Sequence, residues 1–186
     1  KVVFEKATCR LLGAQIIGYE GVDKRIDVLA TAIHAGMKAT QLKDLDLAYA
    51  PPYSSAKDPV SMAGFMIDNI TKEILKQWHL EDMDAVLKEE GAVLLDVRTV
   101  QEYSRGHISG FINIPLDELR EHIHEIEKGK PVYLICQSGL RSYIASRILE
   151  GYGYETYNFS GGFRYYDAVV NDRALIERAY ACGMDY

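Results

Sequence analysis

The 186-residue sequence contains no run near the roughly 20 apolar residues that a membrane-spanning helix needs. Its opening, Lys1-Val2-Val3-Phe4-Glu5, is broken by charge too soon for a secretory signal, and a cytoplasmic location follows as the default. Cysteine is scarce. Cys9, Cys136 and Cys182 are odd in number and widely spaced, which excludes a disulfide framework and a zinc knuckle and fits a reducing compartment. The five histidines are scattered too, so no metal site is expected. Positive charge is not in excess. The net charge is −6, and all of the imbalance lies in residues 71–186. Without a basic stripe, nucleic acid and anionic membranes are poor partners. No G-x-G-x-x-G follows a strand, so the dinucleotide fingerprint is missing. There are no repeats and no low-complexity tract.

What is present falls into two halves. In the first, Val2–Phe4 and Leu11–Gly18 read as strands, with residues 5–8 as the turn between them. Val22–Gly36 has helical periodicity, with Ile26, Leu29, Ala30 and Ile33 on one face and Gly36 as its stop. Pro51-Pro52 forbids helix, and Asp58-Pro59 opens another through Met62, Phe65, Met66 and Ile70. Two strands and two helices are a thin unit. It needs a partner chain or the rest of its own domain, and a start at Lys1 without an initiator methionine points to a piece of a longer protein.

The second half alternates helix and strand. Helices are predicted over 81–90, 99–105, 116–128 and 142–150, and buried strands over 92–97, 131–135 and 156–159. Leu175, Ile176, Ala179 and Tyr180 have helical spacing in a tail from residue 171, and Cys182 reads as a surface thiol. The pattern predicts an α/β domain with a parallel sheet.

In such sheets the active loops lie beyond the carboxyl ends of the strands. One buried strand runs straight into Cys136-Gln137-Ser138-Gly139-Leu140-Arg141-Ser142, after which a helix begins. A loop that wraps into a helix N-terminus aims several backbone N–H groups at one point, and Gly139 permits the positive φ this requires. Arg141 adds a full positive charge. Together these favour a thiolate, the reactive form of cysteine. Gln137, Ser138, Gly139, Leu140 and Ser142 form the cradle. Asp96, Arg98 and His107 are supporting residues: Asp96 ends a strand with Arg98 as its cationic partner, and His107 fixes a turn.

Asp96-Val97-Arg98, Glu102-Tyr103, Gly106-His107-Ile108, Asn113-Ile114-Pro115, the Cys136–Arg141 loop and Ser160-Gly161-Gly162 resemble the single-domain rhodanese family in order and spacing. Ser109 and Phe111 depart from the family, which often has proline and a small residue there. The resemblance implies a parallel sheet with helices on both faces, and a sulfurtransferase in which Cys136 takes sulfane sulfur from thiosulfate, polysulfide or a persulfide. Arg141 would orient the loop or draw in an anionic substrate. The Cys-x4-Arg ring suits one sulfur atom, whereas related phosphatases use a longer loop. An inactive binding module and a cysteine-dependent phosphatase are the alternatives.

The segments Leu12–Gly18 and Asp23–Asp27 resemble the interface domain of flavin-dependent pyridine nucleotide–disulfide oxidoreductases. Leu45–Pro59 looks most like the coenzyme A-disulfide reductase branch. By this resemblance residues 1–70 are part of an α+β dimerisation domain, and 71–186 are a rhodanese domain with a helical tail. The resemblance also implies a homodimer in the full-length protein, with FAD, NAD(P)H and coenzyme A as its cofactors and substrates. Tyr49 would reach toward the other subunit's flavin and protonate a sulfur leaving group.

Overall fold

The computed structural model describes the backbone of residues 1–181, and their side chains except Arg173 and residues 175–181, so Cys182 lies outside the described residues. The chain divides into two compact units, Lys1–Ile74 and Leu75 onward.

In the first unit, β1 (Val2–Phe4) pairs antiparallel with β2 (Leu11–Ala14). Helices α1 (Val22–His34) and α2 (Pro59–Thr71) follow, with a 3-10 segment, Ala39–Asp44, between them. β2 stops at Ala14, earlier than its apolar run to Gly18 suggests. α1 ends at His34, and Gly36 turns the chain away at φ 69°. Pro59 occupies the first turn of α2, where its missing N–H costs nothing. Asp58 caps that helix, its Oδ1 accepting from the Val60 N–H at 2.9 Å while Arg25 pairs with Oδ2 at 3.2 Å. Leu11, Leu29, Ala32, Leu42, Val60 and Ile67 form the core. Within it, α2 lies directly under the 3-10 segment. A Cβ added to Gly64 would sit 2.2 Å from the Lys43 backbone nitrogen and 2.7 Å from the Leu42 carbonyl carbon.

The second unit is built on a five-stranded sheet in the order β3-β7-β6-β4-β5. Its strands are β3 (Gln77–Trp78), β4 (Val93–Asp96), β5 (Ile112–Asn113), β6 (Val132–Ile135) and β7 (Thr156–Phe159). Every pairing is parallel. Helices α3 (Met83–Val86), α4 (Val100–Arg105), α5 (Leu140–Gly151) and α6 (Gly162–Ala181) connect and cover it. Strand alternation separates two cores. Val132 and Leu134 face one side, packing with Leu95, Ala145 and Leu149 of α5. Ile135 faces the other, with Trp78, Met83, Val86, Phe111 and Phe159.

Three expectations change. The helix over 81–90 shrinks to a 3-10 turn, Leu80–Asp82, and α3. Only Met83 and Val86 are buried there, one turn's worth of apolar contact, too little to hold a longer helix. The helix over 116–128 is absent apart from a 3-10 turn at Ile123–Glu125. Its backbone makes i to i+3 bonds such as Leu119 N to Leu116 O and Ile126 N to Ile123 O. The apolar pairs Leu116/Leu119 and Ile123/Ile126 are spaced by three, which suits 3-10 turns. The tail helix is the continuation of α6, which starts at Gly162. β3 and β5, two residues each, were too short to stand out as periodic runs.

Gly64→Ala will destabilise the first unit by about 3 kcal/mol through overpacking against backbone that cannot move aside cheaply. A lowered urea midpoint for that unit, with the second unit's transition unchanged, is the expected readout.

Candidate active site

β6 is the central strand, and its carboxyl end delivers Cys136, which is only 1% exposed. Alternation places Cys136 on the α5 face with Leu134. The chain then rises over it through Gln137 and Ser138 and turns at Gly139, whose φ of 107° is open to glycine and costly to other residues. From there α5 begins. The Gly139 N–H points back at the Cys136 Sγ, 3.1 Å away, and the Ser142 hydroxyl approaches the same sulfur at 3.2 Å. Two donors therefore converge on one sulfur at a helix N-terminus, an arrangement that favours negative charge on it.

The loop is fixed from outside by three contacts. First, Arg141 makes a two-pronged pair with Glu102 of α4, at 2.6 and 2.7 Å. Thr99 also donates to Glu102, through its N–H and its hydroxyl at 3.0 Å each, in a capping box that starts α4. The Arg141 guanidinium, with help from the Thr99 N–H, holds the Glu102 carboxyl down from an ordinary 4.5 to about 2, against the opposing effect of burial. The same pairing pushes the Arg141 value up. Second, the start of α6 presses on the loop. The Phe163 N–H donates to the Cys136 carbonyl at 2.8 Å and the Arg164 N–H to the Gln137 carbonyl at 3.2 Å. This needs Gly162, since a Cβ there would lie 2.6 Å from Gln137 and Ser138 backbone atoms. Third, the buried pair Asp96–Arg98 stands beneath. Arg98 donates to both Asp96 oxygens at 2.7 to 3.0 Å, to the Gly106 carbonyl at 2.8 Å, and lies over the Phe163 ring at 3.8 Å. Its remaining nitrogen faces the Gln137 carbonyl oxygen of the side chain at 3.5 Å.

An open cleft of about 480 Å³ borders Gln137, with Arg98, Glu102, Arg105, Phe163 and Arg164 on its walls. Gly106 and Asp167 complete the lining, so the cleft mixes arginines with two carboxylates.

Cys136, Gln137, Ser138 and Gly139 form the loop and Leu140, Arg141 and Ser142 the first turn of α5, with Asp96 and Arg98 beside them. His107 stands apart: it is exposed, stacks on Tyr103 at 4.0 Å and bonds the Tyr103 carbonyl at 3.1 Å. Tyr49 belongs to the first unit and is about half exposed. The Glu102 role was not read from the sequence. Thr99-x-x-Glu102 signals a helix start, but nothing local tells of an arginine partner 39 residues on.

A parallel sheet with a cysteine loop running from its central strand into a helix defines an α/β domain with a thiol site at the carboxyl edge of the sheet. Residues 79–168 match the rhodanese-like domain family, and residues 1–59 match the dimerisation domain of pyridine nucleotide-disulphide oxidoreductases. One of these matches falls in each unit. It is similar to the reduced CoADR-RHD of Bacillus anthracis, with 45% identity and a TM-score of 0.88 over 92% of this chain and 31% of that one. It is also similar to an NAD-dependent persulfide reductase from A. fulgidus, at 41% identity and a TM-score of 0.75 over 87% of this chain and 28% of that one. A coenzyme A disulfide reductase of Staphylococcus aureus is 42% identical over 65 residues, 35% of this chain and 15% of that protein. The chain thus spans less than a third of the length of these three relatives. Among the described residues no helix is long and apolar enough to cross a membrane.

The depressed Glu102 value gives a signed pH dependence. The bridge to Arg141 stabilises the folded domain fully above about 4.5, and its contribution is lost as pH falls toward about 2. In acid unfolding, Glu102→Gln will lack this component of the stability loss between those values. Parallel curves for the two proteins would contradict the bridge.

Proposed function

We propose that Cys136 carries sulfane sulfur as a persulfide, within a flavin-dependent NAD(P)H reductase of coenzyme A disulfide, persulfide or polysulfide. The observation that supports this reading best is the convergence of the Gly139 N–H and the Ser142 hydroxyl on the Cys136 sulfur. The thiolate attacks the outer sulfur of a donor such as thiosulfate. A new S–S bond forms to Cys136, the donor S–S bond breaks, and sulfite leaves with the electron pair. An acceptor thiolate then attacks the outer sulfur, takes it, and restores the Cys136 thiolate. The loop amides and Ser142 serve both steps by holding negative charge on sulfur. Arg141, committed to Glu102 on both prongs, acts by holding the loop.

The flavin and nicotinamide belong to the assembled reductase. No strand-to-helix turn among the described residues is the glycine-rich cradle that a dinucleotide pyrophosphate takes, and the turn from β6 to α5 is filled by the cysteine loop. This chain's residues do not by themselves fit either group, and no step is routed through one. In the same reading, the first unit supplies the surface for a homodimer and places Tyr49 near a sulfur leaving group.

After incubation with thiosulfate or polysulfide, the intact mass of the chain will rise by one sulfur atom, a thiol will reverse the gain, and Cys136→Ser will show none. A folded native chain that gains no sulfur from any such donor would turn the reading toward a binding module.

A further inference from the structure

We propose that Asn158, on the neighbouring strand β7, is a positioning residue for the sulfur-carrying loop. The inference rests on the persulfide reading above. Asn158 is the register partner of Leu134 on β6 and is only 3% exposed. Its Nδ2 donates to the Gly139 carbonyl at 3.1 Å, while its Oδ1 is buried with no hydrogen-bond partner among the described residues. A buried amide with one end unpaired carries a desolvation penalty that an apolar residue of similar size would avoid. Packing alone therefore does not call for asparagine here. The paired end acts on the active loop.

Three described donor groups lie within hydrogen-bond distance of the Gly139 carbonyl, the Ser142 hydroxyl sharing its one proton with the Cys136 sulfur. Tyr143 N–H at 3.1 Å and Ser142 Oγ at 3.2 Å both belong to α5 itself. Asn158 is the donor among them that ties the carbonyl to the sheet. A trans peptide points its N–H opposite to its carbonyl. Holding the Gly139 carbonyl along α5 therefore aims the Leu140 N–H off the helix N-terminus, toward the loop that Cys136 opens. Gly139, at φ 107°, is the joint with the most conformational freedom in that loop. Asn158 restrains it from the strand, and so holds the Gly139–Leu140 peptide in place beside the Gly139 N–H that meets the cysteine sulfur.

The test compares Asn158→Val with the native 186-residue chain in three measurements: thermal unfolding, thiosulfate-to-cyanide sulfur transfer, and the pH profile of iodoacetamide alkylation at Cys136, read by peptide mass. The variant loses the unpaired oxygen, so its unfolding midpoint will be equal or higher. Its transfer rate will fall about tenfold, less than the loss of a donor that touches the reacting atoms directly. Its alkylation profile will move to higher pH. If Asn158→Val does not fold, Asn158→Leu is read instead, since it is uncharged, fills the space and removes the donor. An unchanged rate and an unchanged alkylation profile in a folded variant would overturn the proposal. So would a rate loss with the alkylation profile unmoved, which is the mark of a merely structural residue. Alkylation reports on the loop even if the native chain transfers no sulfur, so failure of this proposal is distinguishable from failure of the persulfide reading.

Discussion

The buried Arg98 guanidinium is the point on which the second unit's site depends. It is 1% exposed and neutralised by Asp96, itself fully buried. From there it reaches the Gly106 carbonyl beyond α4, the side chain of Gln137 in the cysteine loop, and the Phe163 ring at the start of α6. Three segments distant in sequence are thus referenced to one cation. Removing one partner from such a pair leaves an uncompensated buried charge and costs about 3–5 kcal/mol. Asn113 completes the arrangement by donating to the Asp96 and Arg98 carbonyls at 2.9 and 2.8 Å, which joins β5 to the same hub.

Around this hub the loop is held by groups that do not react. Glu102 takes up both prongs of Arg141. Gly162 lets the first turn of α6 approach the Gln137 and Ser138 backbone. Asn158 reaches across from β7. With the backbone fixed on these sides, the Gly139 N–H and the Ser142 hydroxyl are free to meet sulfur. A cradle that is already oriented has little left to reorganise when charge shifts between donor, cysteine and acceptor, which is how fixed dipoles assist a transfer.

Much of the fold was legible because its signals are local. The continuous apolar runs at 93–95 and 132–135 are what a strand buried on both faces requires, and they sit in the sheet's centre. The Cys136 loop was visible because strand, cysteine, glycine and helix follow one another within a few residues. What was not legible depends on distance in sequence or on competition between local forms. Glu102 and Arg141 meet across 39 residues, and Asn158 meets Gly139 across 19. The stretch 116–128 has good helix formers, yet it settles as successive tight turns because its apolar pairs recur at three residues. β3 and β5 owe their existence to neighbours already in place.

The central claim is that sulfur passes through Cys136. Its most direct test is a single turnover with thiosulfate whose outer sulfur is isotopically labelled, separated from excess donor before cyanide is added. The account predicts labelled thiocyanate in an amount equal to the Cys136 persulfide, with none from Cys136→Ser. Label left wholly in thiosulfate, or labelled thiocyanate formed equally well by Cys136→Ser, would contradict it.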